Sequence, residues 1–231
     1  MSTSQRTPRS WLRVSPVVVL LAVATSIPGI SRAETISFAY TQSFSGAVPA
    51  GSGPWLTSTF TTVVPGTVTL TISASGLSAS ESIESLYFNL DPALNPGSLS
   101  FARDPASTGP TADNTALSLG ANQFKADGDG LYDIRFMLPP PPGQQSARFQ
   151  ANEMLIYTIT GVPTLTASSF FFLSQPAGGS GPFYAAAHVQ QIGAANESGW
   201  VAPAVVPLPA AVWLLLSGFG AFATSGLRRA R

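Results

Sequence analysis

Over residues 67–73 hydroxylated and apolar side chains alternate without a break, with Val68, Leu70 and Ile72 set between threonines and Ser73. A period of two is the mark of a strand with one face on a core and one in water. Residues 131–138 repeat the pattern: Tyr132, Ile134, Phe136 and Leu138 oppose Asp133, Arg135 and Met137. In residues 154–160, Leu155, Tyr157 and Ile159 alternate with Ile156, Thr158 and Thr160, which predicts a more buried strand. Shorter runs rich in Thr, Ser, Val and Phe predict further strands at 35–40, 55–62, 83–90, 98–102, 168–173 and 183–192. Between residues 34 and 192 there is no long helical period. Strands about ten residues apart with Gly, Pro, Asn and Asp between them predict an all-β domain. The expected form is an antiparallel β-sandwich, jelly-roll-like order included, with a barrel as runner-up. Longer loops are expected at 44–54, 103–115, 139–146 and 175–182. Pro139 to Pro142 favours polyproline II and cannot sit inside a central strand.

Both ends break the pattern. Arg6, Arg9 and Arg13 precede an apolar run from Val14 to Ile27, and Ser31-Arg32-Ala33 places small residues at −3 and −1. That is the plan of a signal peptide cleaved after Ala33; an uncleaved signal anchor is the alternative. At the other end 18 uncharged residues run from Ala210 to Leu227. As a helix they span roughly 27 Å, slightly short of a bilayer's hydrocarbon core. Arg228, Arg229 and Arg231 follow and favour a cytoplasmic end. Pro207 and Pro209 hold the preceding segment extended. A plain membrane anchor accounts for the helix and the arginines. The chain thus divides into a signal peptide (1–33), a β domain (34–192), a stalk (193–205) and a C-terminal membrane segment with its leader (206–231).

Removing the ends changes the charge. The whole chain balances 11 basic and 11 acidic residues. From Glu34 to Val206 only Arg103, Lys125, Arg135 and Arg148 face all 11 acids, a net charge near −7. Nucleic-acid binding, which needs a basic face, is disfavoured. The absence of cysteine rules out disulfides, thiol catalysis and cysteine-ligated metals.

Candidate chemistry is sparse. Asp127, Asp129 and Asp133 set three carboxylates among glycines and could gather oxygens around Ca²⁺. The run departs from an EF-hand: Tyr132 stands where the turn glycine belongs in one register, and Lys125 is the first ligand in the other. An acidic turn before a strand is the alternative. His188 is the single histidine, expected on a strand face with Tyr184, Ala186 and Gln190. A serine triad would require it, yet no Gly-x-Ser-x-Gly is present. Glu81 and Glu84 are poorly spaced for a glycosidase pair and are expected as solvated edge residues. Trp55, Tyr87, Tyr132, Tyr184 and Trp200 are candidate aromatic platforms for sugars, or core packing.

Val206-Pro207-Leu208-Pro209-Ala210, the apolar stretch and the closing arginines together resemble the PEP-CTERM family of bacterial sorting signals, in its V-P-L-P-A variant. The resemblance covers about a tenth of the chain. It implies an exported protein that passes through an inner-membrane intermediate. It implies recognition by an exosortase-type membrane protease/transpeptidase, cleavage near the motif, and delivery to the cell surface or extracellular matrix. Cargo of this class is associated with exopolysaccharide and biofilm. The middle, with Gly53-Pro54-Trp55 and Tyr87-Phe88-Asn89-Leu90-Asp91-Pro92, is similar to domains this class carries, which implies a fold and no activity. The expected function is that of a non-enzymatic matrix protein. A carbohydrate- or calcium-dependent binding module is the second expectation, and a secreted hydrolase built on His188 the third.

Overall fold

The computed structural model describes residues 33–110, 115–127, 129–138 and 148–204. All of them lie in the second of the chain's two compact units, which begins at Ala33. The expected polyproline run at 139–142, the apolar N-terminal run and the C-terminal helix lie outside the described residues.

The described residues are all-β and antiparallel. The strands are β1 (Thr35–Gly46), β2 (Leu56–Val64), β3 (Thr67–Ser73), β4 (Ser82–Phe88), β5 (Ser100–Arg103) and β6 (Ala116–Lys125). They continue with β7 (Leu131–Met137), β8 (Phe149–Gln150), β9 (Met154–Thr160), β10 (Ala185–Ile192) and β11 (Glu197–Pro203). One hydrogen-bonded path runs β5-β9-β3-β2-β1-β11-β10-β4-β7-β6, and β8 pairs with β4 off that path. The path curls into a half-barrel, so that Phe101 on β5 meets Phe136 on β7 with ring centroids 5.6 Å apart.

Alternation decides the faces. β3 and β9 bury every second residue, and Val68, Leu70, Ile72, Leu155 and Ile159 are fully buried. Val64 pairs with Thr67 across a two-residue turn, where Gly66 takes φ +85 at no steric cost. Phe60 sits at the centre of the core. It stacks on Phe170 at 4.2 Å and meets Phe38 (6.1 Å) and Phe88 (5.4 Å) edge-on. These are favourable offset and T-shaped arrangements.

Three expectations are corrected. Residues 168–173 are not a strand: Ala167–Phe170 is a 3₁₀ turn, with Thr166 and Ser169 bonded reciprocally as a capping box. The stalk expected at 193–205 does not hold over residues 197–203. Glu197–Pro203 forms β11, inserted between β1 and β10 in mid-sheet. The loop expected at 44–54 starts late, because β1 continues to Gly46 beside β11. A strand of β-poor composition forms there because both neighbours supply ladder partners, and tertiary pairing overrides propensity.

Phe60→Ala should lower unfolding free energy by about 3–5 kcal/mol, the usual cost of a buried Phe cavity. Urea denaturation of the variant against the unaltered chain measures it.

Candidate functional site

The acidic run lies where β6 turns into β7. Asp127 is exposed, in a left-handed conformation with φ 45. Asp129 is 1% exposed and Asp133 is buried. Asp133 already serves as a backbone acceptor: Leu90 N–H donates to Oδ2 at 2.8 Å and Asn122 N–H to Oδ1 at 2.7 Å. Tyr132 donates its hydroxyl to Asp129 Oδ2 at 3.1 Å. Asp129 Oδ1 has no well-formed partner, although the Gly181 amide lies beside the carboxylate. A side chain at Gly181 would collide with that carboxylate. The three aspartates are therefore not drawn into one cluster. Among the described residues no three His, Cys, Asp or Glu side chains stand close enough to hold a metal.

Burial pushes the Asp129 carboxyl above its ordinary value, against smaller lowering from Tyr132 and Gly181. Burial first, then the Asp129 charge, pushes the Tyr132 phenol up. Tyr132 thus keeps its proton and donates it to Asp129, while burial disfavours charge on both groups.

Glu81 corrects its expectation as a solvated residue. It is fully buried, and its oxygens accept from Ala50 N–H at 2.7 Å and Ser78 N–H at 2.8 Å. Glu84 differs because β4 bulges. Ser85 pairs with His188 and Ile83 with Val189, which leaves Glu84 as the extra residue. The bulge turns it toward His188, and Nδ1–H of His188 donates to Glu84 Oε2 at 2.5 Å. The His188 ring also stacks on Trp200, 4.4 Å between centroids and 9° between planes.

Trp200 packs on a small second cluster, separate from the main core. Tyr87, Tyr132, Ala126 and Ala186 form it, and Phe44 and Phe124 pack on its edge. Tyr87 is 5.6 Å from Trp200 and 5.7 Å from Tyr132. Arg135 lies 4.9 Å above the Phe124 ring, and Arg148 donates to Gln190 nearby on β10. Of the five candidate platform residues, Trp55, Tyr87 and Tyr132 are buried, and Tyr184 and Trp200 are partly exposed.

Tyr184 does not share the His188 face. It lies just before β10 and packs in a ring stack with Phe38 and Phe171. Phe171, 48% exposed, was not among the sequence candidates. Phe170-Phe171 carries no alternation to say which ring turns out. The stack walls a groove of about 540 Å³ that Ser37, Ala39 and Pro203 also line. Ala33, the expected cleavage residue, is exposed just before β1, while residues 206–210 and the terminal arginines lie outside the described residues.

No family model matches the chain, and no curated protein or solved structure is similar enough to match it.

Asp129 yields a pH prediction. Its raised folded pKa makes the folded state bind the proton more tightly than the unfolded chain. Its contribution is fully present below the unfolded pKa of about 4 and is lost as pH rises through the folded value. Asp129→Asn should therefore be more stable than the unaltered chain at pH 7, with the gain shrinking toward pH 3. Urea midpoints across that range test the sign.

Proposed function

We propose that the chain is an exported bacterial surface or extracellular-matrix protein, sorted and processed by an exosortase-type membrane protease/transpeptidase. Its working part is a non-enzymatic β domain associated with exopolysaccharide. The carrying observation is the fit between the fold and the two expected processing points. β1 begins two residues after Ala33, and β11 ends three residues before Val206. Cutting at both points leaves every described strand in place. Because Tyr40 pairs with Pro203, the chain leaves β11 at the same end of the sheet where β1 begins. The finer fold reading is a sandwich-like shell, whose two halves face each other across Phe60, Phe88 and Phe136.

The polar-aromatic face around Trp200, His188 and Glu84 supports extracellular polysaccharide as ligand. An indole beside hydrogen-bonding groups offers stacking and orientation together. A calcium-dependent module is the second reading, favoured by the buried Asp129 Oδ1, which has no well-formed partner, near exposed Asp127.

Intact mass of the protein recovered outside the cell tests the first reading. The expected species begins at Glu34 and lacks residues 211–231; a species that retains them defeats the sorting assignment. Millimolar calcium should raise the melting temperature under the second reading, and Asp129→Ala should remove the rise. An unchanged melting temperature eliminates calcium.

A further inference from the structure

β1 has one neighbour too few. Over residues 35–40 it pairs with β2, but β11 accompanies it on the other side only from Tyr40 onward. The edge of residues 35–39 that faces away from β2 has no strand beside it among the described residues. Unpaired edge groups are costly and invite another strand.

The same stretch floors the aromatic groove. Ser37, Phe38 and Ala39 line it, Phe171 and Tyr184 wall it, and Ala204 opens into it. Phe171 and Tyr184 lie 4.4 Å apart at 6°, and Phe38 is within 15° of parallel to both, at 12° and 14°. A half-exposed Phe in such a stack marks an apolar surface shaped for an occupant.

The register identifies one. Tyr40 stands opposite Pro203, so continuing β11 sets Ala204 by Ala39, Val205 by Phe38 and Val206 by Ser37. Directly opposed residues share a face, so Pro203, Val205 and Pro207 would fall on the ring side. All three are apolar. Pro207 has no N–H and cannot extend a ladder further. The chain enters the groove at Ala204, so this segment competes at the high effective concentration of a tether.

We propose that the chain's own segment Val205–Pro207 completes β11 along the free edge of β1 and seats Val205 and Pro207 against the Phe38–Tyr184–Phe171 stack. The segment after Pro207 then starts from a fixed point at the groove rim. An enzyme that acts on residues 206–210 meets a substrate half held by its own domain, and must draw Val206 and Pro207 out before it can grip them. The seat itself rests on strand register and ring geometry. It stands or fails whether or not the tail is ever cleaved.

The chain has no cysteine, which makes a paired-cysteine test clean. Ser37 faces solvent, bonded to Thr59 across β1 and β2 at 3.0 Å, so cysteines there leave the core alone. In full-length chain in detergent micelles, Ser37→Cys with Val206→Cys should form an intrachain disulfide under mild oxidation. Its rate should exceed that of Thr59→Cys with Val206→Cys by on the order of tenfold, since the second pair lies one strand further apart. Equal rates overturn the proposal. A disulfide that forms only between chains also overturns it, and assigns the groove to a second copy. In the unaltered full-length chain, the Val206 amide, which this register points at Ser37 on β1, should exchange more slowly than that of an open segment by on the order of a hundredfold or more. Exchange at the open-segment rate overturns it without any variant.

Discussion

The pairing of the first strand with the last holds the domain together. Among the described residues, the ladder between β1 and β11 is the one strand pairing that joins two groups of strands. One is β5-β9-β3-β2-β1; the other is β11-β10-β4-β7-β6. Its partners, from Tyr40 with Pro203 to Gly46 with Gly199, are more than 150 positions apart in the chain. The two backbones approach closely there, and a side chain at Gly199 would run into the carbonyl of Ala47. Such contacts carry a large loop-closure cost before they return any stability. The aromatic core around Phe60 offsets that cost, because it takes Phe38 and Phe60 from one group and Phe88 from the other. A chain of this order cannot close its sheet until β11, late in the sequence, is available to pair with β1.

Without disulfides the loops are held in another way. Glu81 ties Ala50 to Ser78, and Asp133 ties Leu90 to Asn122, each through two backbone N–H groups. A carboxylate that bridges two amides fixes separate segments with charge-assisted hydrogen bonds. Part of the domain's acidity, Glu81 and Asp133, is thus structural. That explains why a net charge near −7 need not imply a cation site. The surfaces left are aromatic: the Trp200 face, where a bulge delivers Glu84 to His188, and the groove under Phe171.

Part of this was legible in the residues. β3 and β9 matched their predicted bounds because clean alternation meets neighbours that keep register. β6 was missed: Gly120, Asn122 and Gln123 interrupt it, and its pairing with β7 skips from Leu119 to Phe124. β11 was missed because Glu197, Ser198 and Gly199 have poor strand propensity, and its formation depends on partners that no local window contains. Residues 168–173 had strand-like composition, but the Thr166–Ser169 cap wins locally and turns the chain. The groove was illegible for the same reason as β11. It assembles Phe38, Phe171, Tyr184 and Pro203 from four separate stretches, and sequence spacing carries no trace of that.

The opposed directions of β1 and β11 also set how the domain bears a mechanical load. Tension that enters at Pro203 arrives at the end of a ladder whose first rung is Tyr40 with Pro203. Pulled against the start of β1, that ladder opens like a zipper, one rung at a time, because antiparallel neighbours are loaded from the same end. Pulled against the far end of the sheet, the same rungs are sheared together and resist as a set. A load applied through this strand is therefore held firmly in one direction and yields in the other.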